Sequence, residues 1–526
     1  MFEKDKISNL LILLKDCPVI LFICLLLFVL LTIFLAILLI TLIIGLIRGR
    51  GIKIGFITIN GKRENISNEI RQKQDKFENY IATTINKLYE KIDYVERLAI
   101  LPNFRIPPSS SLKKISSNID MIHKKNILIK FDLEIPSLTK NDININHYKF
   151  KRATETLALI YNKAHKIIVA YSQGGVRLDI ANEGYHFDDS HPKRLISFLN
   201  DSSINYKILN SLDDIPDFYA SEVKIAFLKN IVEIFPEEKR ELDFISETSK
   251  QFVDSLCKYV DLFILDDFRK SIYKLPLNTY ISSKITSYVG IGLENDIKYL
   301  ESLVKNCIKY GREGKKRIAI CGSMRPYDLH IIKLLLHYNL FDKILLGVYP
   351  ALPFQICNGI NISKKIEEKL ISLCSQKNES FERIKLDVCK FCLEHYREKL
   401  LMPKDYFVDG DKYITIKEII NYNESISIGT QTIKQYVEEC QSAFLVFHFG
   451  MLSPADEKLR WVTKEIINAY KSDKIVSYTA GDHIGMLAQD LGFTDDNTFF
   501  ITGAQTTSCF LGGVGLIGLQ NFFQNE

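Results

Sequence analysis

Several apolar runs in this chain end on a glycine or an aspartate, and residues at such positions can do chemistry. Gly322, Gly347 and Gly503 each follow a strand-like run, and Asp482 follows Gly481 after another. A glycine turn that opens a helix exposes backbone N–H groups, and these bind phosphate. An aspartate there can ligate Mg²⁺ through its hard oxygens, or it can cap the helix. The pattern favours a phosphate site at strand ends.

Short apolar runs alternate with amphipathic helical stretches along most of the chain, and this alternation predicts the elements that position those turns. The runs read ILIKFDL, KIIVAYS, LFILDDF, RIAICGS, KILLGVY, FLVFHFG, KIVSYTA and NTFFITG. Strands that alternate with helices are typical of α/β folds with parallel sheets. A polar helical span from Leu293 to Tyr310 separates two halves of similar size. We therefore expect two Rossmann-like lobes joined by a central helix.

The stretch from Pro18 to Ile47 carries no charged residue. A helix of about 20 apolar residues already spans a bilayer, whereas the apolar part of a cleaved signal peptide has roughly 7 to 15. Basic residues without matching acids follow the stretch, so the positive-inside rule places the large body in the cytosol. Asn-x-Ser sequons, such as Asn361 to Ser363, would instead fit a lumenal body. We expect a single-pass membrane protein whose body faces the cytosol.

The chain divides into predicted segments by composition. A charged stretch near helical spacing follows the apolar one, and Pro107, Pro108 and three serines break it from the body. The predicted segments are a tail at 1–17, a transmembrane helix at 18–47, a juxtamembrane stalk and linker at 48–111, an N-terminal lobe at 112–290, an interlobe helix at 291–315, a C-terminal lobe at 316–505 and a returning segment at 506–526.

Composition and cysteine spacing exclude some classes of protein. A net charge of +5 over 526 residues is too small to indicate nucleic-acid binding. Cys389 and Cys392 form a C-x-x-C without a second pair, so a four-ligand zinc site is not expected. Scattered cysteines fit a reducing compartment. A dehydrogenase is disfavoured, because no G-x-G-x-x-G ends a first strand.

The order of the strand-end motifs resembles that of the phosphoglycerate kinase family, from about Lys125 to Glu526. In the C-terminal half, RIAICGSMRPYDLH is similar to the family's AILGGAKVSDKI, and ISIGTQT, FHFGMLSPADE, YTAGDHIG and ITGAQTTSC are similar to LDIGP, WNGPMGVFE, GGGD and STGGGAS. In the N-terminal half, ILIKFDLEIP, KIIVAYSQGG and FILDDFRKS resemble RVDFNVP, SHLGRP and NDAFGTAHR. The resemblance implies the family's two-lobed fold.

The resemblance also implies a reaction, the reversible transfer of a phosphoryl group between 1,3-bisphosphoglycerate and ADP to give 3-phosphoglycerate and ATP. Such transfer needs positioning and neutralisation of charge more than covalent chemistry by the protein. Mg²⁺ with ADP or ATP is the implied cofactor set. A nucleotide and a phosphoglycerate are the implied partners, and the body is expected to be monomeric.

On the phosphoglycerate side, the resemblance implies roles for a few residues and removes others. Lys149, with Arg152 as the alternative, takes the place of the arginine that stabilises the transferring group, and Asp132 matches a substrate-binding aspartate. The family binds the phosphate of its sugar-acid substrate with a patch of arginines and a histidine. Gln173 takes the place of that histidine, and Tyr273 takes the place of one of the arginines. Both Lys149 and Arg152 are also compatible with a solvated helix start.

On the nucleotide side, the implied residues fall at the strand ends described above. They are Gly322, Arg325, Asp328, Gly347, His448, Asp456 or Glu457, Thr479, Gly481, Asp482 and Thr502. Arg325, as a phosphate-binding cation, and Gly503, at the point of phosphoryl transfer, are the implied catalytic residues of this lobe. Asp482 is also the implied contact to the metal ion. Side chains at Val348 and Tyr349 replace two glycines of a triplet beside the adenine.

Two hypotheses follow. The first is a membrane-held phosphoglycerate kinase, impaired because several basic groups are replaced, since each lost charge stabiliser costs roughly a hundredfold to a thousandfold in rate. The second is an inactive pseudokinase that acts as a binding or scaffold protein for an unidentified protein partner. Convergence of Lys149, Arg152, Arg177, Lys270 and Lys274 on the cleft opposite Gly503 would favour the first.

Overall fold

The computed structural model describes part of the chain. The described residues are 109–133, 148–172, 195, 204–228, 231–235, 245–322, 326–375, 380–408, 412–421, 426–452, 459–511 and 515–524. The chain separates into two units, Met1–Glu96 and Arg97–Glu526, and all described residues belong to the second. The predicted transmembrane helix at 18–47 and nearly all of the stalk lie outside them. Within the described ranges, we find no helix both long and apolar enough to cross a bilayer.

The N-terminal lobe is built on a parallel sheet of six described strands. These are β1 (Asn126–Asp132), β2 (Lys166–Ser172), β3 (Tyr206–Leu209), β4 (Ile225–Leu228), β5 (Leu262–Asp266) and β6 (Thr286–Val289). Their order across the sheet is β3-β4-β2-β1-β5-β6, and Asn126 of β1 pairs with Lys166 of β2. Residues of β1, β4 and β5 are buried on both faces, because helices cover the sheet on each side.

The C-terminal lobe repeats this plan with a second parallel sheet and a small antiparallel one. Its described strands are β7 (Arg317–Cys321), β8 (Lys343–Leu346), β9 (Leu400–Leu401), β10 (Asp405–Val408), β11 (Lys412–Thr415), β12 (Ile426–Ile428), β13 (Leu445–Phe449), β14 (Val476–Ala480) and β15 (Thr498–Ile501). The main sheet runs β15-β14-β13-β7-β8-β9, and β11-β10-β12 form the small sheet. The predicted α/β class with parallel sheets is confirmed.

Helices connect the strands in both lobes. The described ones are α1 (Tyr148–Tyr161), α2 (Ile215–Ala220), α3 (Ile231–Ile234), α4 (Glu247–Leu256), α5 (Ile291–Arg312), α6 (Pro326–His337), α7 (Val348–Cys357), α8 (Lys364–Ser375), α9 (Phe381–Ile384), α10 (Phe391–His395), α11 (Thr430–Gln441), α12 (Arg460–Ala469), α13 (Asp482–Asp490) and α14 (Ala504–Leu511). Helix α5 packs against α1 and β5 on one side and against β13 and β15 on the other, so it links the lobes.

The linking helix α5 ends a turn before Lys315. Gly314 adopts a φ of +66°, its N–H donates to the Gly311 carbonyl, and the Lys315 N–H donates to the Tyr310 carbonyl. This pair of bonds forms a Schellman motif, which ends a helix. The motif requires one residue with left-handed backbone, and glycine adopts that conformation at little steric cost. The helix therefore ends at Arg312, whereas the predicted segment ran to 315.

The last part of the chain lies against the N-terminal lobe. The Gly518 N–H donates to the Ser271 carbonyl at 2.8 Å, and the Lys113 N–H donates to the Phe522 carbonyl at 2.8 Å. The Phe522 ring packs 6.2 Å from that of Phe263 in β5. Covalent continuity with α14 and these contacts give the lobes a second connection besides α5.

Candidate active site

The carboxyl ends of strands from both main sheets meet between the lobes. Asp132 is the last residue of β1, Asp482 follows β14, and Gly503 follows β15. Side chains after parallel strands gather at one edge of a sheet, and here the two edges face each other across the start of α1. This junction is the candidate site.

Four charged side chains occupy the junction, and we call them the interlobe charge cluster: Asp132, Lys149, Arg269 and Asp482. Lys149 Nζ lies 2.6 Å from Asp132 Oδ2 and 2.8 Å from Asp482 Oδ1. Arg269 Nε lies 3.2 Å from Asp132 Oδ2. Because Lys149 starts in the N-terminal lobe and Asp482 in the C-terminal lobe, their ion pair ties the two lobes together.

The Lys149 side chain is 2% exposed, so its charge depends on its partners. Burial acts to lower the pKa of the ammonium group, but Asp132 and Asp482 outweigh burial and raise that pKa above its ordinary value. A buried charge persists only when it is paired in this way. Lys149 is therefore a fixed positive charge between two carboxylates, and an incoming anion must compete with both of them.

A second cross-lobe contact centres on Arg152 and Asp296. Arg152 donates through one terminal nitrogen to Asp296 Oδ1 at 3.1 Å and through the other to the Phe500 carbonyl at 2.8 Å. Asp296, on the linking helix α5, also accepts hydrogen bonds from the backbone N–H and the hydroxyl of Thr502. These structural contacts occupy the terminal nitrogens of Arg152, whereas Lys149 contacts Asp482 directly.

Asp266 anchors the start of the linking helix α5. Its carboxylate accepts hydrogen bonds from the Thr156 hydroxyl at 2.6 Å and from the Leu293 N–H at 2.6 Å. A Cβ added at Gly290 would lie 2.4 Å from the Asp266 Cγ, so only glycine fits there. A carboxylate at a helix N-terminus also interacts favourably with the helix dipole. Gly290 and Gly292, which follow β6, therefore leave room for the Asp266 side chain.

We expect the stability of the body to fall as pH rises from about 4 to about 7. Burial raises the pKa of Asp266 from 3.8 to about 7, and burial likewise raises the pKa of Asp296 to about 6. Each carboxyl group binds its proton more tightly in the folded state than in the unfolded state, so deprotonation in this window favours unfolding.

The measurement is urea unfolding at a series of pH values. Asp266→Asn, which cannot ionise, should flatten the slope, while replacement of the exposed Asp473 by Asn serves as the control. A wild-type stability that rises through this window would contradict the expectation.

A small cavity of about 20 Å³ lies within the junction. Its polar lining comprises Asp132, Lys149, Arg152, Asp266, Asp296 and Thr502. A volume of this size holds about one water molecule. A nucleotide cannot enter it, so the lobes must separate before a ligand of that size reaches Lys149.

Gly503 lies directly against the N-terminal lobe. Its φ is +66°, and a Cβ added there would be 2.9 Å from the Arg269 Cα. The Thr506 hydroxyl donates to the Arg269 carbonyl at 2.5 Å, and the Tyr273 hydroxyl donates to Gln505 Oε1 at 3.1 Å. The start of α14 is therefore docked on the segment from 269 to 273.

The glycines predicted to border the nucleotide are covered by the turn after β13. A Cβ on Gly322 would lie 2.2 Å from the Met451 carbonyl oxygen. A Cβ on Gly347 would lie 3.1 Å from the Gly322 Cα and 3.4 Å from the Leu452 Cα. These glycines allow three strand-end turns to pack against one another, which is a structural use of the same positions.

His448 and Thr479, both predicted to contact the nucleotide, are buried within β13 and β14. His448 Nδ1 lies 3.0 Å from the Tyr470 hydroxyl, and burial lowers the pKa of the imidazole to about 3. The imidazole is thus neutral and packed against α12. Neither side chain is presented to a ligand in this arrangement, because His448 is 0% and Thr479 is 1% exposed.

Other predicted site residues cannot be placed. Gln173, Arg177, Arg325, Asp456 and Glu457 lie outside the described residues, as does the side chain of Asp328. Their roles stay predictions. Of the further cations considered, Lys270 is 2% exposed and lies 5.9 Å from the centre of the Tyr273 ring, whereas Lys274 is exposed. Lys149 and Arg152 line the cavity of the junction, and Lys274 is not among its lining residues.

No sequence motif pointed directly to Arg269. Position-by-position comparison places Tyr273 at the family's arginine and Arg269 at the glycine of NDAFGTAHR, so the arginine was passed over. The basic pair Arg269 and Lys270 in FRKS, which follows a strand-end aspartate, is the pattern that could have indicated it. Asp296 was also missed, because its partners Arg152 and Thr502 are distant in sequence.

The residues at Asp482 do not fit a magnesium ion in this arrangement. The Lys149 ammonium lies 2.8 Å from Asp482 Oδ1, so it occupies the position beside that oxygen that a metal ion would need. Among the described residues, no group of three or more histidine, cysteine, aspartate or glutamate side chains could hold a metal. An Mg²⁺ contact at Asp482 first requires Lys149 to leave it.

Comparison with known proteins identifies what the chain is similar to. A family model described as phosphoglycerate kinase matches residues 117–514. The phosphoglycerate kinase of Methanothermus fervidus is 25% identical over 327 residues, which cover 58% of this chain and 76% of that protein. The phosphoglycerate kinase of Staphylococcus haemolyticus is 24% identical over 428 residues, covering 78% and 98%.

A solved structure shares the fold. The crystal structure of phosphoglycerate kinase from Pyrococcus horikoshii superposes with a TM-score of 0.61 at 19% identity, covering 76% of this chain and 96% of that one. The match covers almost all of the solved protein, so both lobes and their connections are included.

Proposed function

Because the chain belongs to the phosphoglycerate kinase family, we propose that it transfers a phosphoryl group between an acyl phosphate and ADP, in the cleft between its lobes. The acyl phosphate is 1,3-bisphosphoglycerate, and the products are 3-phosphoglycerate and ATP. The observation that carries this proposal is the convergence of Lys149, Arg269, Asp482 and Gly503 where the carboxyl ends of the two sheets meet.

The residues of the junction supply what the transfer needs. A phosphoryl group in transit carries negative charge on its oxygens, and fixed cations stabilise that charge better than water does. The Lys149 ammonium is such a cation and projects from the start of α1. Gly503 has no side chain, so a phosphoryl group can come close to the backbone N–H groups at the start of α14 once the lobes part.

The transfer is slow. Lys149 and Arg269 already interact with Asp132 and Asp482, so a ligand must use part of its binding energy to break these ion pairs and part the lobes. The basic positions now held by Gln173 and Tyr273 no longer provide cations. Loss of a charge stabiliser costs about a hundredfold to a thousandfold in rate, so turnover far below that of an efficient kinase is expected.

A binding or scaffold role without catalysis is the second candidate. It is favoured by the closed junction, in which two acids and two bases balance and the cavity holds about one water. In that case the lobes stay docked and the chain binds neither substrate. The two candidates differ in whether 3-phosphoglycerate and ADP bind.

The direct test is a transfer assay with the full-length chain in mild detergent. ADP release from magnesium-ATP is measured with and without 3-phosphoglycerate, and Lys149→Met prepared in parallel gives the background. A rate that depends on 3-phosphoglycerate and exceeds this background supports the proposal. A rate equal to that of the variant removes the enzymatic function.

We further propose that residues 18–47 anchor the chain in a membrane, with the body on the cytosolic side. The uncharged stretch and the basic residues after it support this orientation. Protease treatment of sealed membrane vesicles, cytosolic face outward, should digest the body. A body protected in such vesicles, and glycosylated at Asn361, would reverse the orientation.

A further inference from the structure

We propose that Arg269 contacts the transferring phosphoryl group together with Lys149, as a second catalytic cation that this chain places at a glycine position of the family pattern. The inference rests on the proposed function and names a residue for it. It starts from position, since Arg269 follows β5 by three residues and lies at the same junction as Gly503 and Asp132.

Contact with Gly503 fixes where the Arg269 side chain can reach. A Cβ on Gly503 would lie 2.9 Å from the Arg269 Cα and 3.1 Å from both its Cβ and its Cγ. The Thr506 hydroxyl holds the Arg269 carbonyl from the other side of the cleft. The guanidinium thus starts beside the glycine turn that precedes α14 and extends toward Asp132.

Exposure distinguishes Arg269 from the other basic groups at the junction. Its side chain is 19% exposed, compared with 2% for Lys149 and 6% for Arg152. Arg152 is held by Asp296 and the Phe500 carbonyl. The Arg269 side chain is thus the least buried of the three, although its Nε and one terminal nitrogen are buried while the lobes are docked. When the lobes part, its fork of N–H donors matches phosphate oxygens in bidentate fashion.

Charge balance gives the second argument. The cluster contains two carboxylates, Asp132 and Asp482, and without Arg269 it would contain only the Lys149 cation. A net negative site repels a phosphoryl anion, and the repulsion is strong where water is excluded. Arg269 makes the cluster neutral. An entering phosphoryl group can then replace one carboxylate as the partner of a cation.

Tyr273 gives the third argument. It stands where the family resemblance expects an arginine, and its hydroxyl donates to Gln505 at the start of α14. That position now serves to dock the lobes. The same segment instead provides a cation four residues earlier, at Arg269, and this cation lies beside Asp132 and Gly503 at the point of transfer.

The test is a double-mutant cycle on transfer by the full-length chain. We expect Arg269→Met to lower kcat/KM about a hundredfold to a thousandfold, and Arg269→Lys to lower it less because it keeps the charge and loses the fork. Replacement of the exposed Arg312 by Met is the matched control and should leave kcat/KM within about twofold, as for surface charges generally.

The same substitution is then repeated in Asp132→Asn. If Arg269 contacts the phosphoryl group, Arg269→Met remains costly when Asp132 is already neutral. If the cost disappears in that background, Arg269 only neutralises Asp132 and the inference is overturned. It is equally overturned if Arg269→Met transfers at the wild-type rate, while the proposed function then stands.

A binding readout separates the two proposals where no transfer is detected. Inorganic phosphate is titrated into the wild type, Arg269→Met and Arg312→Met by calorimetry, after unfolding curves confirm that each variant folds. If phosphate binds to the wild type and to Arg312→Met but not to Arg269→Met, Arg269 is an anion contact. The lack of transfer then removes the kinase function alone. Absence of both transfer and phosphate binding overturns both proposals.

Discussion

Lys149→Met is expected to abolish phosphoryl transfer and to lower the free energy of unfolding by about 3 to 5 kcal/mol. Methionine keeps most of the length of lysine but removes the ammonium that Asp132 and Asp482 share at 2.6 and 2.8 Å. Two buried carboxylates then face each other with one fewer cation, and Arg269 alone remains beside them. The expected loss is large because an uncompensated buried charge is costly and because the transferring group loses its fixed cation.

The control for this prediction lies two residues further along the same helix. Lys151 is 60% exposed and pairs with Asp495 at 3.1 Å on the surface. Lys151→Met removes the same charge, and we expect a loss below about 1 kcal/mol with unchanged transfer. Unfolding can be followed by the fluorescence of Trp461, the single tryptophan of the chain. Equal losses for the two lysines would contradict the role assigned to Lys149.

Gly503→Ala is expected to lower the free energy of unfolding by about 2 to 4 kcal/mol, from left-handed strain and overpacking together. A side chain at φ +66° is strained, and its Cβ would also meet the Arg269 Cα at 2.9 Å. The lobes can relieve this overlap only by moving apart. Transfer should therefore fall with stability, because the moved α14 no longer faces Lys149.

Gly314 provides a matched control for backbone strain. It has the same φ of +66°, and no heavy atom lies within 4 Å of a Cβ built there. Gly314→Ala should therefore lower the free energy of unfolding only by the strain of a left-handed alanine, about 1 to 2 kcal/mol, and leave transfer intact. The difference between the two variants measures the close approach between lobes. If Gly503→Ala and Gly314→Ala are equally destabilised, Gly503 is not an interlobe contact in solution.

Much of the fold could be predicted from local sequence pattern. Runs such as ILIKFDL and LFILDDF are continuous and apolar, as buried parallel strands require, and they form β1 and β5. The long polar helix that links the lobes begins at Ile291, where Gly290 and Gly292 leave room for Asp266 to bond to its N-terminus. Its end at Arg312 depends on Gly314, a glycine that the periodicity alone did not single out.

The site was harder to predict because its geometry comes from residues distant in sequence. Placing Asp482 at a strand end followed from YTAGD, but its partner Lys149 lies more than three hundred residues earlier. His448 matched a family position, although its imidazole is packed on Tyr470. Arg269 was passed over because a comparison by position does not reveal a cation that reaches the same point from a neighbouring residue.

The measurement that tests the central claim most directly is calorimetric titration of the full-length chain with 3-phosphoglycerate and, separately, with magnesium-ADP. Lys151→Met serves as the surface control and Lys149→Met as the site variant. Micromolar binding of both ligands by the wild type and the control, weakened in Lys149→Met, is the predicted result. Absence of binding of either ligand to the wild type would contradict phosphoryl transfer in the cleft and favour a membrane-held scaffold.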